Sequence, residues 1–99
     1  MHRIIKISSE HKKHTELHKE LELAEKKVVI GGIYSHYKHS GNTYKVLRLG
    51  FLEADDSVCV IYEATYDQEL IFVRPLESWL EAVDWNRKKV SRFKLIKNY

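Results

Sequence analysis

The stretch YSHYKHSGNTY, residues 34–44, sets three tyrosines, two histidines and a lysine around a turn. Gly41 and Asn42 tolerate positive φ, and HSGN between two aromatic runs predicts a hairpin. Alternation along the strand before the turn separates two faces, with Ile33 and Tyr37 on one and Tyr34, His36 and Lys38 on the other. Burying a lysine is costly, so the Lys38 face is expected to reach solvent while Ile33 and Tyr37 lean on the core.

Downstream, the pattern continues as short strands and turns. TYKVLRLGFL reads as a second strand, with Gly50 marking a bulge or sharp bend. EADDS is a polar turn, and VCVIYEA is apolar enough for a central strand. TYDQE turns again before a fourth strand, LIFVR. Pro75 then opens a short helical turn, PLESWLE. AVDW and VSRFKLI flank the turn NRKK. This succession predicts a mainly β fold with an N-terminal α-helix, as a small SH3-like β-barrel or rolled antiparallel sheet.

Upstream, the texture changes. Residues 1–31 hold no aromatic residue, and residues 32–99 hold all 11. Gly31-Gly32 punctuates the boundary. The expected division is therefore an N-terminal segment with one helix, 1–31, and a small β-barrel domain, 32–99. TELHKELELAEKK places Leu17, Leu21, Ala24 and Val28 on one narrow apolar stripe. Glu22 and Lys26 form an i, i+4 pair, and Thr15, or Ser8 or Ser9, would cap the helix. Such a helix is marginal alone, so it must dock on the domain or on a second copy, which leaves a homodimer through the helix open. RIIKI before it reads as an edge strand or a tail.

With 99 residues, the chain suits one domain. Its 43% hydrophobic and 31% charged residues indicate a folded, soluble chain. No apolar run approaches the roughly 20 residues of a membrane span. The start, MHRIIKISSEHKKH, lacks the apolar stretch of a secretory leader. A lone cysteine, Cys59, in an apolar strand suits a reducing compartment, so the cytoplasm is the expected location. The net charge of +3 is unevenly spread. Residues 53–85 carry nine acidic side chains against Arg74 alone, and residues 86–99 carry six basic ones and no acid. That asymmetry suits a nucleic-acid patch. The reading favoured here is that the basic tail pairs with the acidic middle across strands.

Several residues together carry a resemblance. They are Gly32-x-Tyr34-x-His36-Tyr37-Lys38, Tyr44-x-Val46-Leu47, Tyr62-x-Ala64-x-Tyr66, Val73-Arg74-Pro75-Leu76 with Glu81 six residues after the proline, and Arg92-Phe93-x-x-Ile96. Over residues 32–96 the chain resembles the bacterial family called Domain of Unknown Function 1653. Ser35, Asp67, Phe72 and Ser91 depart from the family's usual residues. The resemblance implies a compact SH3-like β-barrel and a bacterial source, and it implies no activity.

Six histidines invite a metal reading. His14 and His18 are spaced to share a helix face, with His11 one turn back, but no further ligands stand at a recognisable spacing. A solvated face is the simpler account, and no metal or cofactor is expected. Cys59 in an apolar strand should be inert. Asp55-Asp56 reads as an ordinary surface turn. The best enzymatic case is acid–base chemistry at His36, oriented by Glu63 or Asp67; the alternative is a histidine that ties the barrel together.

Small barrels bind more often than they catalyse. Six large rings near the strands exceed what one small interior holds, so some should be exposed beside basic residues. The candidate ligand-binding residues are Tyr34, His36, Lys38, Tyr62, Tyr66, Arg74 and Arg92. Three functions stay open: a nucleic-acid or nucleotide binder, an SH3-like adaptor for peptides or proteins, and a small hydrolase-like enzyme using His36.

Overall fold

The computed structural model describes residues 11–98. The expected RIIKI strand and the Ser8 and Ser9 caps lie outside the described residues. Helix α1 runs His14–Glu25. Thr15 sits inside it rather than capping it; the Lys13 backbone N–H instead donates to the Glu16 carboxylate at 3.0 Å, satisfying one donor at the helix start. The polar side is tied by Lys12 and Glu20 at 2.8 Å. Along the stripe, Leu17 and Leu21 are half-buried, while Ala24 and Val28 are each 1% exposed and belong to the main core. Ala24 is small, which lets the helix approach the sheet closely.

Seven strands follow: β1 Ile33–His36, β2 Thr43–Leu52, β3 Ser57–Ala64, β4 Asp67–Pro75, β5 Ala82–Trp85, β6 Lys88–Ser91 and β7 Phe93–Lys97. A short helix, α2 Leu76–Leu80, lies between β4 and β5. β4-β3-β2-β1-β7 form one antiparallel sheet and β5-β6 a two-stranded ribbon. VCVIYEA is an internal strand, as its apolar run predicts. VSRFKLI is not one strand. It divides at Arg92, so that β6 closes the ribbon on β5 while β7 crosses to pair with β1. The ribbon turns at Asn86 and Arg87, whose φ values of 53° and 66° fit a tight primed turn.

Gly31-Gly32 is more than punctuation. Gly31 has φ +86°, a conformation costly for other residues. At Gly32 a Cβ would lie 2.9 Å from Leu95 and 3.0 Å from the Val29 carbonyl oxygen, so only hydrogen fits. Backbone bonds Gly31 N–H to Val46 O (2.8 Å) and Val46 N–H to Gly32 O (3.0 Å) clip this corner onto β2. The bulge expected at Gly50 lies instead between Val46 and Arg48. Gly50 stays in register and leaves room for Ile61, whose Cδ1 would be 3.2 Å from an added Cβ.

One cluster of side chains fills the interior. Val46, Leu49, Val60 and Tyr62 come from β2 and β3, and they meet Tyr34, Trp79, Phe93, Ala24 of α1 and Val28, which lies just beyond the helix end. Trp79 of α2 stacks flat on Phe93, with centroids 3.8 Å apart and planes 7° from parallel. Phe93 is buried. Asp56 corrects the surface-turn reading. It is 6% exposed, with φ 57°, and its carboxylate accepts from the Lys12 N–H (2.9 Å) and meets His11 Nδ1 (3.0 Å). His11 therefore precedes α1 and faces the β2–β3 turn instead of extending a histidine row on the helix. Among the described residues, no helix is long and apolar enough to cross a membrane.

Candidate functional site

Because β1 is only four residues long, its last residue, His36, stands where the chain leaves the sheet. In register with it on β7 is Phe93, and the two rings meet edge to face at 5.2 Å. The loop that follows carries Lys38 and His39. On the far side, β4 alternation sends Phe72 and Arg74 to the same face as Tyr62 and Val60, their partners on β3. Between these walls lies a cavity of about 300 Å³. Tyr62 and Phe93 are its buried aromatic residues, and Tyr44 and Phe72 complete the aromatic lining. The basic residues His36, Lys38, His39 and Arg74 supply the rest, and no carboxylate lines it.

The rings brace one another. Tyr62 packs on Phe72 at 5.5 Å, on Phe93 at 5.6 Å and on Tyr44 at 5.7 Å. Arg74 donates from Nη1 to Ser78 Oγ at 2.7 Å, and its Cζ lies 5.6 Å from the Phe93 centroid. Among the described residues no carboxylate pairs with Arg74. Its Nε also donates to the Tyr62 hydroxyl at 3.5 Å, so its positive charge is held by two hydroxyls and a ring rather than by a carboxylate. The Tyr44 hydroxyl shares a hydrogen bond with that of Tyr66 (3.4 Å), and this bond together with burial pushes Tyr44 up to about 12.

Burial first, then the positive charges of Arg74, Arg92, His39 and Lys38, push the His36 imidazole below its ordinary value of 6.5. The Lys38 backbone N–H donates to His36 Nδ1 at 3.2 Å. That bond uses Nδ1 as an acceptor and matches a neutral ring with its proton on Nε2. The carboxylates expected to orient His36 are elsewhere. Glu63 alternates with the core-facing Tyr62 and Ala64 and so lies on the other face of β3. Asp67 accepts from the Glu69 N–H at 3.1 Å.

Of the seven candidate residues, His36, Lys38, Tyr62 and Arg74 line the cavity, and Tyr34, Tyr66 and Arg92 do not. Tyr34 overturns the expected face assignment. It is 5% exposed, its hydroxyl accepts from the Val29 N–H (3.0 Å), and its ring meets Trp79 at 5.1 Å. The strand ends at His36, so alternation does not carry through to Lys38, and the solvation of Lys38 says nothing about Tyr34. Tyr66 is 55% exposed and touches the cavity only through Tyr44. Arg92 donates to the Ser78 carbonyl (3.1 Å) and to Glu81 (2.8 Å). Together with Lys89–Asp84 at 3.1 Å, the Arg92–Glu81 pair is the charge pairing between tail and middle that the sequence favours. Tyr44, Phe72, His39 and Phe93 were not among the candidates. Phe72 carried a signal, standing two residues before Arg74 on one strand. Phe93 carried none, because its place depends on β7 crossing to β1.

Among curated proteins, no relative matches the chain. A solved structure does: a crystal structure of a protein belonging to DUF1653 from Bordetella bronchiseptica is similar at 30% identity and a TM-score of 0.61, over 70% of this chain and 88% of that one. The family model described as a protein of unknown function, DUF1653, matches residues 32–95. All of the cavity's lining residues fall inside that match, and the chain belongs to the DUF1653 family.

Proposed function

We propose that this chain is a non-catalytic binding module whose cavity takes a planar, anionic ligand of the nucleotide type. The observation that carries this reading is the wall composition: four aromatic side chains, four basic ones and no acid. Rings supply stacking faces, and cations supply attraction to phosphate. An unpaired, half-buried arginine costs desolvation energy that a bound anion would offset. The SH3-like barrel and a cytoplasmic location belong to the same proposal. The barrel is supported by side chains of β4 and β7, the two ends of the sheet order, meeting across the cavity.

The test is a titration with adenosine monophosphate followed by NMR. Shifts should concentrate at Lys38, His36 and Tyr44, and affinity should fall as salt rises. Lys38→Ala should weaken binding and leave the melting temperature unchanged, because Lys38 is exposed. A flat spectrum at millimolar nucleotide would sink the proposal.

A specific observation favours a second reading, the peptide-binding adaptor. β4 is an edge strand, and Leu70, Ile71, Phe72 and Val73 on it are all exposed. Such an edge can accept an extended peptide as an added strand. Protection of β4 amides on adding a peptide, with the cavity resonances unmoved, would favour it.

A further inference from the structure

His36 is a wall shared by two cavities. The second, of about 430 Å³, lies between β1 and the β5–β6 ribbon. Tyr37 and Trp85 form a corner in it, their centroids 5.2 Å apart and their planes 80° to each other. Trp85 is 39% exposed. Besides His36, the polar lining is Lys94, Ser35, Ser40 and Ser91, and again no carboxylate is present. Lys94 is exposed and has no ion-pair partner among the described residues.

Resting on the nucleotide reading above, we infer that the two cavities are adjacent base subsites for single-stranded nucleic acid, with the phosphate that links the two bases passing His36. Each cavity offers what one nucleotide needs. Tyr44 and Phe72 stand in the first beside Lys38 and Arg74; Trp85 and Tyr37 stand in the second beside Lys94. Both volumes lie near the low end of ligand pockets, about 300–1,000 Å³, which suits one small planar group apiece. Each cavity therefore pairs aromatic with basic walls, as a base and its phosphate require, and His36 borders both.

A peptide fits this cleft less well. Extended peptides gain affinity by pairing with a free strand edge. The strand between the cavities, β1, is already paired on both sides, with β2 and with β7. Rings and cations are what remain to a ligand there. Stacking without an edge-reading acid or amide in the walls also predicts little preference among bases.

The experiment is a length series. Mixed-sequence single-stranded oligonucleotides of one to six nucleotides are titrated against the whole chain and followed by calorimetry and tryptophan fluorescence. Trp79 is 2% exposed, so quenching reports on Trp85. Affinity should rise at least tenfold from mononucleotide to dinucleotide, with Trp85 quenching saturating at correspondingly lower ligand concentration. Trp85→Ala should remove that gain, and Trp85→Phe should keep most of it. If the dinucleotide binds no tighter, or if Trp85→Ala leaves the gain intact, the two-subsite inference is wrong while mononucleotide binding still stands. If hexaglutamate competes as well as a hexanucleotide does, the cleft reads charge alone and base recognition is overturned. Loss of mononucleotide binding at the first cavity is a different result, and it would remove the proposed function itself.

Discussion

The guanidinium of Arg74 lies over the ring of Phe93, 5.6 Å from its centroid. Arg74 belongs to β4 and Phe93 to β7, the two outermost strands of the five-stranded sheet. Their contact shows the sheet curved enough for side chains of its two end strands to meet. The cavity between them follows from that curvature, and the same pair links the stability of the fold to the character of the site.

Arg74→Ala removes the ring contact, the hydrogen bond to Ser78 and the longer one to Tyr62 together. The expected cost is about 2–5 kcal/mol, the sum of about 0.5–2 for the cation–π contact and about 1.5–3 for the charged hydrogen bond to Ser78. Urea denaturation measures it. A midpoint equal to that of the unmodified chain would mean that the two sheet ends are held together without Arg74.

Phe93→Ala should be far more damaging. Phe93 is buried, stacked on Trp79 and in contact with Tyr44, Tyr62 and His36. Truncating such a ring costs about 3–5 kcal/mol. Loss of near-ultraviolet circular dichroism from Trp79 should accompany the fall in stability. A well-folded variant with an intact near-ultraviolet spectrum would contradict the packing described here.

Helix docking is tested at Ala24, which is 1% exposed against the core. Ala24→Leu should destabilise by about 1–3 kcal/mol, because the larger side chain would push the helix away from the core that Ala24 packs against. The same change at exposed Leu23 reversed, Leu23→Ala, should be nearly neutral. Thermal melts of the pair separate a docked helix from one lying loosely on the surface.

Stability should fall as the solution is acidified from neutral, through His36 first. Its folded pKa is lowered below 6.5, so the unfolded chain takes up the proton more readily. The contribution is present above about 6.5 and is lost as pH falls through the lowered folded value. Protonation would also break the bond from the Lys38 N–H to Nδ1. His36→Gln should flatten this part of the profile measured by urea denaturation.

Asp56 governs the acid limb. Its carboxylate is held below 3.8, chiefly by the Lys12 backbone N–H and also by His11. Its contribution is present above that value and is lost as pH falls through the lower, folded one. Asp56→Asn keeps a residue that tolerates the positive φ and removes only the charge. The variant should lose stability at neutral pH and show a shallower acid transition.

Local patterns in the chain carried the strands, the turns and the helix. The helical stripe of Leu17, Leu21, Ala24 and Val28 needs only a period of 3.6, and the strands need only a period of two with glycine or polar turns between. The family, too, was legible from short motifs in order. Four of the seven candidate residues meet in one cavity for the same reason: His36 and Lys38 are near neighbours in sequence, and Tyr62 and Arg74 sit on adjacent strands of one hairpin. Three things were not legible. The inward turn of Tyr34 depends on where β1 ends, a matter of pairing with β7 sixty residues away. The burial of Asp56 depends on the segment before α1 folding back over a turn that looks ordinary alone. Phe93 enters the cavity because the chain switches from ribbon to sheet at Arg92. Each is a contact between residues distant in sequence, and no periodicity along a chain records which strand it will lie beside.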